Sequence, residues 1–173
     1  MDIADRFIAA ITAGDVDALR SLYAPGARIW HNGPGAGGGA EQGVDDNLRT
    51  LRWLSRNLRD FRYEEIRRDP LPDGYVQRHV LRGELPDGTA IEMAACLFVT
   101  VDGVDGAPRI TRVEEYADTR GSDPLRALAA AQQAERAERK RQTEQVAQGE
   151  RVEQAERVAQ VAQGDRVERV ERA

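Results

Sequence analysis

Between residues 61 and 119 the chain falls into four alternating segments, 61–68, 75–85, 90–101 and 109–119, joined by turn-rich stretches. The joints are Pro70-Leu71-Pro72-Asp73-Gly74, Pro86-Asp87-Gly88 and Asp102-Gly103-Val104-Asp105-Gly106. Proline presets a turn dihedral and glycine supplies the positive φ that tight reversals need. Such short joints predict antiparallel strands, because a parallel connection takes a dozen or more residues. This meander constrains the fold more than any other feature of the chain.

The segments before it read as helices. Ile3, Phe7, Ile8 and Ile11 recur at helical spacing up to Gly14. Asp15 can cap a second short helix that turns Val16, Leu19 and Leu22 inward. Residues 28–32 read as a strand. Residues 44–58 form the best helical pattern, with Leu48, Leu51, Leu54 and Leu58 on one stripe and Trp53 beside them. Helices first and an antiparallel meander afterwards predict an α+β domain, with helices covering one face of a curved sheet. The other face, carrying Val76 and Val80 between Arg78 and Arg82, predicts a homodimer.

Between the first strand and the long helix lies a glycine-rich stretch, residues 33–39. Its spacing matches G-x-G-x-x-G, but the βαβ setting that a dinucleotide fingerprint requires is missing. A lid or a plain loop is expected.

The last strand, residues 109–120, carries an acid on each face. Alternation puts Ile110, Arg112, Glu114, Tyr116 and Asp118 on one side, and Thr111, Val113, Glu115 and Ala117 on the other. A carboxylate facing the interior is either a structural ion pair or a working group. Periodicity alone leaves the inward face open.

Composition narrows the function classes. Net charge is −5 and no basic stripe interleaves with aromatics, which argues against nucleic acid as a partner. No apolar run approaches the roughly 20 residues that span a bilayer, so no membrane partner is expected. One cysteine, Cys96, allows neither an internal disulfide nor a cysteine-based zinc site, and two histidines are too few for an ordinary metal centre. No metal or cofactor is expected. MDIADRFIAA lacks the basic and apolar regions of a signal peptide, so the expected location is the cytoplasm.

Two regions are expected: a domain at residues 1–128 and a charged tail at 129–173. In the tail, VAQGERVEQ at 146–154 recurs as VAQGDRVER at 161–169. Interspersed acids and bases suit a solvated helix or a disordered segment. Val152, Ala155, Val158, Val167 and Val170 make a thin apolar stripe, which leaves open a coiled-coil or protein-binding role.

The element order, the Ala13-Gly14-Asp15-Val16-Asp17-Ala18-Leu19 turn and the closing Glu115-Tyr116-Ala117-Asp118 resemble the SnoaL-like branch of the nuclear transport factor 2-like superfamily. The resemblance spans residues 3–120 and implies a cone-shaped domain. Relatives include isomerases, polyketide cyclases, hydrolases, dehydratases and non-catalytic modules. Limonene epoxide hydrolase is the nearest functional template. Its aromatic-x-Asn is matched by Trp30-His31-Asn32, and anchoring on Val80-Leu81-Arg82 puts Gln77 and His79 at its Arg and Asp positions. Its last-strand acid falls on Glu115, so its Asp–Arg–Asp set becomes His–Gln–Glu.

That alignment turns Val113 and Glu115 into the pocket with Trp30, Asn32, Gln77 and His79, and turns His31 toward the outer face or a helix interface. His79 and Glu115 are then the candidate catalytic pair, the Glu fixing the imidazole and raising its basicity. Trp30, Asn32, Trp53, Gln77 and Val113 are the candidate substrate-binding residues; Trp53 can equally be core. This set suits a cofactor-independent isomerase, cyclase or hydrolase acting on a small hydrophobic molecule. A structural His–Glu pair, binding without chemistry, and an interaction module whose tail holds a protein partner are the alternatives. Cys96 is expected as an inert core thiol.

Overall fold

The computed structural model describes residues 2–33, 38–104 and 106–171. Residues 34–37, within the stretch expected as a lid or a plain loop, lie outside these. Helix α1 (Ile3–Ala13) starts at Asp2, whose carboxylate accepts from the Asp5 amide at 2.9 Å. It ends at Gly14, which holds φ +64°. A β-carbon on Gly14 would also stand 2.7 Å from Ser55 Oγ, so glycine serves both conformation and helix contact there. Asp15 caps α2 (Val16–Leu22) through the Ala18 amide at 2.9 Å. Helix α3 (Val44–Asn57) carries the long leucine stripe.

Six strands form one sheet: β1 (Tyr23–Asn32), β2 (Gly39–Gly43), β3 (Arg59–Leu71), β4 (Gly74–Glu84), β5 (Ala90–Val104) and β6 (Ala107–Ala117), in the order β2-β1-β6-β5-β4-β3. All pairs are antiparallel except β1 with β6. The four-strand meander forms as its turns predict, and the whole is an α+β fold of helices on a curved, mostly antiparallel sheet. Strand β3 bends at two register shifts, where Asp60 and Glu65 take φ of +49° and +54°.

Strand β2 has no counterpart in the sequence reading. Its Gly-Ala-Glu-Gln-Gly has no apolar alternation; it forms by pairing with the β1 edge and by Glu41 bridging Arg28 at 2.7 Å and Arg112 at 3.1 Å.

The core lies between the helices and the inner sheet face. Phe7, Ile11, Leu19, Leu22 and Leu48 pack against Ile29, Val99, Ile110 and Val113. Burying each such side chain is worth about 1.5–3 kcal/mol, which clamps the sheet into its curve. The outer face is open. Trp30, Tyr116 and Phe98 make an aromatic row on it, with ring centroids 5.1 and 6.0 Å apart. Cys96 also lies there, half-buried beside an open groove, because it alternates with Ala95 and Leu97, which face inward. It is not the core thiol expected.

The chain divides into two compact units, residues 1–126 and 127–173. Helix α4 (Asp123–Glu171) begins in the first and makes up nearly all of the second, so the repeats lie in helix. Along α4 Lys140 pairs with Glu144 and Arg141 with Glu138, while Val146 is exposed. Among the described residues no helix is long and apolar enough to cross a membrane.

Candidate active site

The register of the sheet decides which side chains can meet. On the inner face Gln77 sits beside Leu97, Leu97 beside Glu115, and Glu115 beside His31. The next row holds His79, Ala95 and Ala117. Glu115 and His79 are thus two strands and two residues apart, about 12 Å between α-carbons at standard spacings. Glu115 and His31 are neighbours on adjacent strands, about 5 Å apart.

His31, not His79, is therefore the partner of Glu115. Its Nδ1 lies 2.6 Å from Glu115 Oε2. The Gln42 amide nitrogen stands 2.9 Å from His31 Nε2, and that of Asn47 stands 3.5 Å away. Asn47 Oδ1 accepts from the Tyr23 hydroxyl at 2.9 Å. With both amides donating to Nε2, the neutral ring carries its proton on Nδ1 and donates it to the carboxylate. Burial pushes the Tyr23 phenol above its ordinary range, with the Tyr75 and Glu115 charges adding to it, so its hydroxyl stays a donor.

This polar cluster closes one wall of an interior cavity of about 320 Å³. The other walls are apolar: Phe7 and Ile11 from α1, Leu51 and Leu54 from α3, Leu81, Met93, Leu97 and Val113 from the sheet, and Tyr63 from β3. Burial also drives the Tyr63 phenol upward, leaving a neutral hydroxyl. Larger concavities are open grooves: one of about 620 Å³ at the start of α1 beside the β3–β4 turn, one of about 570 Å³ on the outer face, and one of about 530 Å³ along α4. The smaller cavity holds the converging polar groups, as ligand sites do. Among the described residues no three His, Cys, Asp or Glu cluster to hold a metal ion.

The other sequence-predicted residues are placed as follows. Val113 lines the cavity and Glu115 enters it. Gln77 and His79 face inward but bond each other, Gln77 Nε2 to His79 Nδ1 at 3.2 Å, and His79 does not reach Glu115. Trp30 lies on the outer face against Tyr116. Asn32 spends its amide on the Ala117 backbone, donating at 3.0 Å and accepting at 2.8 Å, and so extends the β1–β6 ladder. Trp53 is half-buried on α3, away from the cavity wall. Trp30 and Asn32 share a parity with Arg28, which is exposed, whereas Ala27, Ile29 and His31 share the inner one. That charged residue was the signal that places His31 inside. For Asn47, the signal is a polar residue on the stripe of Leu51 and Leu54, four and seven positions on.

A family profile described as the SnoaL-like domain matches residues 4–113, and the chain belongs to that family. No curated protein sequence matches it. Among solved structures, PrhC from Penicillium brasilianum NBRC 6234 is similar with a TM-score of 0.61 and 14% identity, over 76% of this chain and 88% of that one. BvnE pinacolase from Penicillium brevicompactum gives 0.60 and 16%, over 74% and 92%. IdmH from Streptomyces antibioticus, described as a candidate polyketide cyclase, gives 0.57 and 22%, over 69% and 92%. At these identities the likeness is one of fold.

Proposed function

We propose that the chain binds a small, largely apolar carbonyl compound in the cone cavity and catalyses cofactor-independent proton transfer on it, as an isomerase or cyclase. The observation that carries this reading is the 2.6 Å His31–Glu115 pair at the wall of an otherwise apolar cavity. His31 holds Glu115 Oε2, and no hydrogen bond engages Oε1 among the described residues. Oε1 is the base. It removes a proton from the carbon next to the carbonyl; the C–H pair becomes a C=C bond and the carbonyl π pair moves to oxygen. The proton returns from Glu115 to the same carbon or to a conjugated one, or the enolate carbon attacks a second carbonyl and closes a ring. His31 is a positioning residue, with its tautomer locked by Gln42 and Asn47. Val113 belongs to the apolar wall.

The test is exchange of the α-hydrogens of 2-tetralone in deuterated buffer, followed by mass spectrometry. The chain accelerates exchange over buffer, and Glu115→Gln removes at least about 100-fold of that acceleration, the low end of general-base contributions. Equal exchange by Glu115→Gln and the unaltered chain would overturn the reading. The fold likeness to a pinacolase and a candidate cyclase agrees with it.

The outer face supports a homodimer. Tyr116 and Phe98 are 48% and 43% exposed on it, large apolar surface for a free sheet face. Light scattering should give twice the chain mass, and Tyr116→Arg should halve it.

A further inference from the structure

Strand β2 has little to hold it together by itself, yet it brings the shorter amide contact to His31. It is five residues long, lies at the sheet edge and has glycine at both ends. Glycine weakens a strand, because it loses the most freedom on ordering and packs no side chain. The ladder of β2 is with β1, and its side chains are those of Ala40, Glu41 and Gln42. Ala40 is exposed. Alternation sends the other two to opposite faces, Glu41 beside Trp30 on the outer face and Gln42 beside Ile29 on the inner one. Gln42 Nε2 stands 2.9 Å from His31 Nε2, against 3.5 Å for Asn47, so Gln42 makes the firmer bond to the ring.

On the outer face Glu41 is held twice. Its Oε1 accepts from Arg28 Nη2 at 2.7 Å and Nε at 2.9 Å, and its Oε2 accepts from Arg112 Nη1 at 3.1 Å. Arg28 and Arg112 are direct partners in the parallel pairing of β1 with β6. Like charges directly opposite destabilise a strand pair, and Glu41 is the acid set between them. Glu114 also accepts from Arg112, but it lies on β6 itself and cannot tie β2 down. Each arginine precedes one member of the site pair by three residues, Arg28 before His31 on β1 and Arg112 before Glu115 on β6. Glu41 therefore joins β2 to both strands that carry the site. The same strand leads straight into α3, whose N-cap, Gly43, makes no side-chain cap bond. The start of α3, with Asn47 just behind it, follows β2 rather than a capping side chain.

Resting on the proton-transfer reading above, we propose that Glu41 is a positioning residue for that site, acting from the opposite face of the sheet through β2. By bridging Arg28 and Arg112 it fixes β2 against β1. That keeps the Gln42 amide on His31 Nε2, and so keeps the Nδ1 side of the ring turned to Glu115 Oε2. Glu115 is then held in one orientation, with Oε1 toward the ligand. Without the acid, two arginines face each other across β1 and β6, and β2 keeps only its backbone ladder and the Trp30 ring over Gly39 on that face. What the arrangement requires is one acid among the three positions 28, 41 and 112, with an arginine at each of the others.

The test is a charge swap read at His31. The chain has two histidines, so 15N-histidine NMR of the whole protein gives two rings, and His79→Phe assigns the His31 one. Glu41→Arg, which brings three arginines together, should move the His31 Nε2 resonance toward that of an unbonded acceptor nitrogen. Glu41→Gln should move it the same way. Arg28→Glu combined with Glu41→Arg restores one acid among the three positions and should return the resonance to its original place. In the 2-tetralone exchange assay Glu41→Arg should lower kcat by up to about 100-fold, the scale of an ångström's misplacement, with KM little changed, and the swap should recover it. An Nε2 resonance unmoved in Glu41→Arg, a swap that fails to restore it, or full activity in Glu41→Arg would each overturn the proposal. If Glu41→Arg does not fold, Glu41→Gln decides by the same resonance. If the unaltered chain exchanges no 2-tetralone, the proton-transfer reading falls, and the resonance still decides whether Glu41 holds Gln42 on His31.

Discussion

Replacing Asn47 by leucine tests whether the Tyr23–Asn47–His31 chain is a bonded network or a set of adjacent polar groups. Asn47 is 3% exposed and Tyr23 is 6% exposed, so neither can turn to water when its partner is removed. Leucine keeps the heavy-atom count and branching of Asn47 and deletes the acceptor, 2.9 Å away, of the Tyr23 hydroxyl. A buried hydroxyl stripped of its partner costs about 1–3 kcal/mol, partly offset because an amide no longer has to be desolvated. The net loss should be about 1–2 kcal/mol, a fall in Tm of roughly 3–10 °C for a folded unit of this size. The informative quantity is the sign of a second substitution. Tyr23→Phe in the unaltered chain strands Asn47 Oδ1 and should destabilise by about 1 kcal/mol. In the Asn47→Leu background the same change removes the orphaned hydroxyl and should restore about 1 kcal/mol, so the cycle reverses sign. Urea unfolding of the four proteins measures it. If Tyr23→Phe destabilises both backgrounds equally, the bond contributes nothing and the network reasoning fails.

Three further expectations follow from particular contacts. His79 is held below its unfolded value of 6.5, chiefly by burial. The native state therefore binds fewer protons than the unfolded one below that pH, and stability is full above it and declines as pH falls, by up to about 1.4 kcal/mol per unit; urea midpoints from pH 7.5 to 5.5 should drop less for His79→Gln than for the unaltered chain. A β-carbon on Gly39 would fall inside the Trp30 indole, so Gly39→Ala in a Trp53→Phe background should red-shift the remaining emission as that ring is displaced toward water, and an unchanged spectrum would contradict the contact. A chain ending at Arg126 should keep Tm within about 2 °C, since the first compact unit ends there; a fall of more than about 5 °C would refute that expectation.

Three levels of the molecule were legible in the sequence to different degrees. The Pro-Asp-Gly-type joints and the leucine stripes give the order and identity of nearly all elements, because turn chemistry and amphipathic period are local. Strand β2 escaped because its Gly39–Gly43 carries no apolar pattern and exists only as the partner of the β1 edge. The site was half legible. Alternation puts Glu115 and Val113 on one face of the last strand, and the family alignment both turned that face inward and brought in His79 from the middle strand. Which histidine Glu115 meets did not follow, because template alignment set the parity of β1 against its own pattern of Arg28 outside and Ile29 inside.

By itself the sequence determined an α+β chain of helices before an antiparallel meander, an acid on the last inner face, and a repetitive charged tail. These rest on periodicities of two and 3.6 residues and on turn residues, all readable within a dozen positions. Tertiary structure alone decided the partnerships. The parallel pairing of β1 with β6 sets His31 against Glu115, and the β4–β5–β6 register holds His79 two strands away. Helix α3 delivers Asn47 and strand β2 delivers Gln42, from 16 and 11 residues away, to one imidazole nitrogen. The last strand supplied the acid, and the sheet chose its histidine. A side chain's partner across a sheet depends on strand order and register, which the whole chain fixes and no local segment records.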